Sequence, residues 1–276
     1  MDETIDTRPL LAPLHAELVG LLGNLAPGDW ARRTRAGAWS VRDVTAHLLD
    51  GMLRRLSFQR DALPLLPPAT PIRSHADLVA FLNGLNAEWI QAARRLSPRV
   101  LVRLIAQAGK EEAEFLASLP VDGEAFLPVA WAGQDRSPNW LDIGREYTEL
   151  WHHQQQIREA LGRPLLEEPH WLGPVLGISV HALPRAYASV GAGRGTSVLV
   201  EVEGPAGGRW GLVRQQGSWQ LAEPSEEPAA TIRLSEGVAW RVLLKAISPA
   251  DARAASMLDG DRALIAPFFE ARAVMA

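Results

Sequence analysis

The chemistry available to this chain is set by what it has and by what it lacks. It has seven histidines and 32 acidic residues but no cysteine. A bound metal would therefore have to be held by His, Asp or Glu. Any thiol chemistry would have to use a thiol brought by another molecule. One pair has ligand spacing. Glu149 and His153, in the run E-L-W-H-H, stand four apart, which on a helix places both side chains on one face, one turn apart. His47 sits between Val44 and Leu48 in an apolar helical pattern and so faces a core. Two imidazoles and one carboxylate form a three-donor set that suits zinc, and also nickel or iron, with a coordination position left open for chemistry. The same residues also fit a plainer description, a solvated Glu–His pair and a hydrogen-bonded core histidine. His15, His75, His170 and His181 lack a partner at ligand spacing. His152 points about 100° away from His153 around the helix and is expected to orient a ligand or to lie at the surface.

These residues need long helices to present them. Leu10, Leu11, Leu14, Leu18 and Leu21 make a helical stripe over 7–24. Ser40 and Asp43 read as an acidic capping box opening a helix to about residue 60, with His47 at its middle. Four prolines make 61–73 a loop. Ser74 with Asp77 caps a third helix to about Leu96, and Ser97-Pro98 opens a fourth to about Leu119. The segment 120–138, rich in Gly, Pro and Asp, is expected to be irregular. A fifth helix over 139–161 carries Glu149 and His153 beside an apolar stripe of Trp140, Ile143, Tyr147, Leu150, Ile157 and Leu161, with Gly162 as its cap and Pro164 as its stop. Beyond it the pattern changes. A helix broken by Gly and Pro is expected within 168–190. Four short strands follow between 196 and 234, with turns at Gly207-Gly208 and Gly217-Ser218. Helices are expected at 237–247 and 260–269. The expected organisation is an all-α domain over 1–165 followed by an α+β domain over 166–276.

Composition narrows the partners. The chain carries a net charge of -4 and no long basic block, so neither nucleic acid nor an anionic membrane is an expected partner. No apolar run reaches the ~18 residues of a bilayer span, and the N-terminal sequence is acidic, unlike a secretory signal. The expectation is a soluble cytoplasmic protein, monomeric or homodimeric.

Two stretches carry a resemblance. G-A-W-S-V-R-D-V-T-A-H-L, residues 37–48, and R-E-Y-T-E-L-W-H-H-Q-Q-Q-I-R-E-A-L-G-R-P, residues 145–164, resemble the two signatures of the mycothiol-dependent maleylpyruvate isomerase family, within the broader DinB-like metal-binding helical bundles. The resemblance implies that His47, Glu149 and His153 are metal ligands. An aspartate often follows the second histidine of that pattern by three residues; here the position is Gln156. In the second half, A-A-T-I-R-L-S at 229–235, W-R-V-L-L-K-A-I-S-P at 240–249 and G-D-R-A-L at 260–264 resemble the SCP2-like α+β domain attached to this family. A basic residue of that domain is implicated in catalysis, which points to Arg241 or Lys245.

The implied activity is that of a thiol-dependent isomerase or S-transferase. Its cosubstrate would be a low-molecular-weight thiol of the mycothiol or bacillithiol kind, acting on an electrophilic small molecule. Two alternatives stand beside it: a metal-dependent hydrolase on the same site, and a non-catalytic ligand-binding protein.

Overall fold

The computed structural model describes residues 4–65, 67–68 and 70–274. By packing, these fall into two compact units that interleave along the chain. One comprises 8–120 and 149–165. The other comprises 4–7, 121–148 and 166–274.

The first unit is a helical bundle. Its helices are α1 (Arg8–Gly23), α2 (Val41–Arg55), α3 (His75–Ala93), α4 (Pro98–Ser118) and the second part of α5 (Asn139–Leu161). The buried stripe of α1 is Leu11, Leu14, His15, Leu18 and Leu22. The expected stripe is thus turned slightly, with Leu10 and Leu21 at its margins. Each fully buried leucine contributes about 1.5–3 kcal/mol to holding α1 against the bundle. α1 packs on α4, and α2 packs between α3 and α4. His15 of α1 lies 3.4 Å from the Glu112 carboxylate of α4, both buried. Gly109 leaves room for that ring, since a Cβ there would stand 2.5 Å from His15 Nδ1. The serine caps at Ser40, Ser74 and Ser97 all form, each accepting from the backbone N–H three residues on. α2 runs on as a π-helical turn, Leu56–Arg60. The expected loop over 61–73 contains neither helix nor strand at its described residues; 66 and 69 lie outside them, as do 1–3.

The second unit is α+β. Its five-stranded sheet has the order β3-β2-β1-β4-β5, built from β1 (Ser197–Glu203), β2 (Gly208–Gln215), β3 (Ser218–Ala222), β4 (Ala230–Ser235) and β5 (Met257–Gly260). β1 pairs antiparallel with β2 and parallel with β4, and β4 pairs antiparallel with β5. Two expected turns are shifted. The β1–β2 connection is 204–207, closed by Gly207 N–H to Gly204 O at 3.0 Å, and Gly208 already belongs to β2. The β2–β3 hairpin turns on Gln216-Gly217, both with positive φ, as a two-residue turn between twisted strands requires. β5 lies in a stretch that sequence alone left unassigned up to Asp259, and its last residue, Gly260, was expected to open the final helix. Its four exposed residues lack the apolar alternation that marks a strand. The region 168–190 holds α6 (Pro169–Ser179), a 3₁₀ turn and the short α7 (Leu183–Ala186). The expected helix over 237–247 is α8 (Glu236–Leu243), and α9 (Pro249–Ala254) follows it. The last expected helix divides into α10 (Arg262–Ile265) and a 3₁₀ segment over 266–270. Among the described residues no helix is long and apolar enough to cross a membrane.

Candidate metal centre

His47 is positioned by the way α2 begins. The chain from Arg33 to Ser40 folds back on itself through an antiparallel bridge between those two residues, with Gly37 at φ +56° in the turn. Thr34 N–H donates to Trp39 O at 3.0 Å. Ser40 then closes a reciprocal capping box: its hydroxyl accepts from Asp43 N–H, and its own N–H donates to the Asp43 carboxylate at 3.0 Å. Farther along α2, Trp89 of α3 donates its indole N–H to Ala46 O at 2.7 Å, fixing the helix just before His47. Glu149 and His153 come from α5, whose residues 150–158 are all buried. The helix is held to α1 there by Gln154 donating to Leu14 O and by Arg158 pairing with Glu17.

The pair singled out by spacing, Glu149 and His153, converges with His47. His47 Nε2 and His153 Nε2 each lie 3.1 Å from the same oxygen, Glu149 Oε1. One donor atom from each residue lies within 4.8 Å of the others. The imidazoles are side-chain buried to 12% and 10% exposure, while the carboxylate is 39% exposed. The cluster therefore offers two nitrogens from the interior and a carboxylate that is partly open to solvent. The two rings meet edge to face at 4.8 Å.

Their electrostatics are coupled. Burial would raise the Glu149 carboxyl, but the His153 and His47 imidazoles outweigh it and hold the group well below the usual carboxylate range. Burial would lower His153, but the Glu149 charge and the hydrogen bonds to Glu149 and Gln156 win, so its pKa is raised. His152 differs. Buried and facing the charge of His153, it is pushed down to about 3 and stays neutral.

Sequence reasoning did not place several residues that complete the site. The Trp39 ring centroid is 5.0 Å from that of His47 and 6.4 Å from that of His153, making an aromatic wall beside both imidazoles. Its place directly before the capping Ser40 was the one sequence signal for it. Asp50, one turn past His47, is buried, and that burial raises its pKa despite the charges of Arg54 and His47. Gln156 accepts from His153 Nδ1 at 2.8 Å, and its amide N–H donates to His152 Nε2 at 3.2 Å. His152 thus lies buried inside the bundle and not at the surface.

The donor set fits a divalent cation. Its atoms are close enough to share an ion, both imidazoles present Nε2 to one point, and the Nδ1 of His153 is engaged from behind, the usual arrangement of a ligating histidine. Arg241 and Lys245 belong to the α+β unit. The Arg241 guanidinium lies 4.2 Å from the Trp240 ring centroid and 3.4 Å from Glu167 Oε1, which also accepts from the Trp240 indole. Lys245 is exposed and has left-handed backbone, φ +59°, just past the end of α8.

The sequence profile described as the mycothiol maleylpyruvate isomerase N-terminal domain matches residues 11–158, more than half of the chain and all three donor residues. A comparison with curated proteins found no match. Among solved structures, the crystal structure of the mycothiol-dependent maleylpyruvate isomerase is similar over 85% of this chain and 86% of its own, with a TM-score of 0.51 and 14% identity. A histidine-to-alanine mutant of that enzyme gives a TM-score of 0.52 and 15% identity over the same shares. Likeness at such identity establishes the fold: a helical bundle joined to an α+β domain.

Proposed function

The chain belongs to the mycothiol maleylpyruvate isomerase N-terminal domain family, and from that premise we propose that it is a metal-dependent enzyme using a low-molecular-weight thiol as cosubstrate, an isomerase or S-transferase acting on an electrophilic small molecule. The observation that carries this reading is the convergence of His47, Glu149 and His153 on one point. In this reading His47 Nε2, Glu149 and His153 Nε2 hold a divalent ion, zinc first, with nickel or iron as the other fits to two nitrogens and one oxygen. When bound, the ion supplies Lewis acidity, which favours the thiolate form of a small thiol near neutral pH.

The residues of the chain do the rest. The buried imidazoles and Trp39 exclude water from the inner side of the site, and the exposed edge of Glu149 marks the side from which ligands enter. The protein has no cysteine, so mycothiol, bacillithiol or a similar molecule provides the sulfur. In an isomerisation the thiol adds across the substrate's double bond, rotation follows, and the thiol leaves; in a transfer the new carbon–sulfur bond is kept. The SCP2-like portion, read as 166–276 beside a DinB-like 1–165, supplies a cation to hold substrate anionic charge. Lys245 is better suited than Arg241: its ammonium makes no hydrogen bond or ion pair among the described residues, whereas Arg241 is already engaged by Glu167 and Trp240. The proposed setting is the cytoplasm, as monomer or homodimer.

The test is a screen of several thiols and electrophiles on tag-free protein, which reads thiol consumption for transfer and thiol-dependent conversion of the electrophile to its isomer for isomerisation, where the thiol is regenerated. Activity should require both thiol and metal and vanish in His47→Ala. Lys245→Ala should lower turnover with metal content unchanged, because a cation facing developing charge acts on the transition state. Thiol-dependent turnover that survives metal removal would refute the reading. Turnover without thiol would favour a hydrolase.

A further inference from the structure

We propose that Gln156 is the positioning residue for His153, an amide clamp that takes the place of a carboxylate behind the ligand and is itself anchored by His152. The inference rests on the metal-centre reading above and adds the device that aims one of its donors.

The clamp follows from helical spacing. Gln156 stands three residues after His153 and four after His152, so its side chain lies one turn on and reaches both rings. The His153 and His152 rings are nearly parallel, 18° apart with centroids at 5.6 Å. The amide spans them: its Oε1 accepts from His153 Nδ1 at 2.8 Å, and its Nε2 donates to His152 Nε2 at 3.2 Å. All three residues are buried, at 6%, 8% and 9% exposure for His152, His153 and Gln156. Water therefore cannot readily substitute for either bond.

An amide has a direction, and here the direction is fixed by function. For His153 to offer Nε2 as a lone pair, its proton must sit on Nδ1, and only an acceptor satisfies that N–H. This sets Oε1 toward His153 and the amide N–H₂ toward His152, whose Nε2 must then be unprotonated. Ligand, amide and second imidazole thus specify one another's proton positions. A neutral amide pulls less on the Nδ1 proton than a carboxylate does, so His153 becomes a less electron-rich ligand than a carboxylate-backed one.

The test uses the full-length, tag-free protein, with zinc affinity read by chelator competition and the His153 Nδ1–H signal of the zinc-loaded protein read by NMR. Gln156→Met preserves shape and removes the acceptor; it should weaken zinc binding about 10–100-fold and let the Nδ1–H exchange quickly with water. Gln156→Glu restores an acceptor and should bind zinc at least as tightly as wild type. His152→Phe removes the anchor, leaves Gln156 Oε1 in place to accept, and should cost less than Gln156→Met. Wild-type affinity and slow exchange in Gln156→Met would overturn the clamp. So would a loss in Gln156→Glu as large as in Gln156→Met, which would also decide the matter if Gln156→Met did not fold. Wild-type protein that takes up no zinc would sink the metal centre itself, an outcome distinct from the other two.

Discussion

The three donor residues differ in what each can lose. His47 and His153 present Nε2 from buried rings, so neither nitrogen can be replaced by a nearby water without repacking. His47→Ala or His153→Ala should reduce metal content of the purified protein to near zero by elemental analysis, whereas His152→Ala should retain most of it. Equal losses at 152 and 153 would mean that the wrong histidine was assigned. Protons compete for the same site. Because the pKa of His153 is raised, by the Glu149 charge and hydrogen bonds winning over burial, a proton holds its nitrogens to higher pH than in an ordinary histidine. Metal affinity should therefore keep rising above pH 6.5 and level off only beyond the raised value, since ligand imidazoles must be neutral. Affinity that is flat from pH 5 to 8 would argue against two histidine ligands. His152 gives the opposite signature in stability. Its folded pKa, about 3, lies below its unfolded value. The stability it permits is full above about pH 6.5 and is lost as pH falls toward 3, because the unfolded state binds the proton first.

At the scale of elements, each ligand depends on the helix that carries it. α2 is held at its first turn by the Ser40–Asp43 box and near its middle by the Trp89 bond to Ala46 O. α4, capped by Ser97, carries no ligand. Ser40→Ala and Ser97→Ala should each destabilise the protein by about 1 kcal/mol in denaturant unfolding. Only Ser40→Ala should also weaken metal binding, severalfold, because it frees the end of the helix that places His47. Equal metal affinity in the two variants would show that the Trp89 contact alone fixes the register of α2. α5 has the harder task. It carries His152, His153, Gln154, Gln155, Gln156 and Arg158 in buried positions, a polar load that a helix tolerates only when partners are supplied one by one. Leu14 O, Glu17 and the imidazole–amide chain are among those partners.

At the scale of the molecule, metal binding should appear as stability. An ion gripped by α2 and α5 binds the folded bundle and not the unfolded chain, so it stabilises by about 2.7 kcal/mol when free metal is 100 times its Kd. Thermal unfolding with zinc, compared with a chelated sample, should shift up by several degrees, and His47→Ala should abolish the shift. A shift that persists in His47→Ala would place the ion elsewhere. The interleaved units bear on how such a melt is interpreted. All three donors lie in the helical bundle, while Arg241 and Lys245 lie in the α+β unit. Metal should therefore raise the transition of the bundle, and substitution of Lys245 should leave that rise intact.

The sequence by itself determined the helices of the bundle and the Glu149–His153 pair. Apolar periodicity and serine caps act over one or two turns, and an i, i+4 pair must share a helical face wherever the helix goes, so Glu149 with His153 was legible before any fold. Their meeting with His47 was not, because 102 residues separate His47 from Glu149 and only packing brings α2 beside α5. The same holds for Trp39, which reaches the imidazoles through a tight turn, and for His152, whose inward or outward direction depends on what surrounds α5. Strand β5 was hidden because its four exposed residues owe their extended form to pairing with β4 and not to a pattern of their own. The parallel pairing of β1 with β4 and the grouping of 121–148 with the later chain were likewise decided by tertiary structure. Local sequence can specify local geometry, but long-range adjacency is fixed only when the whole apolar surface is buried together.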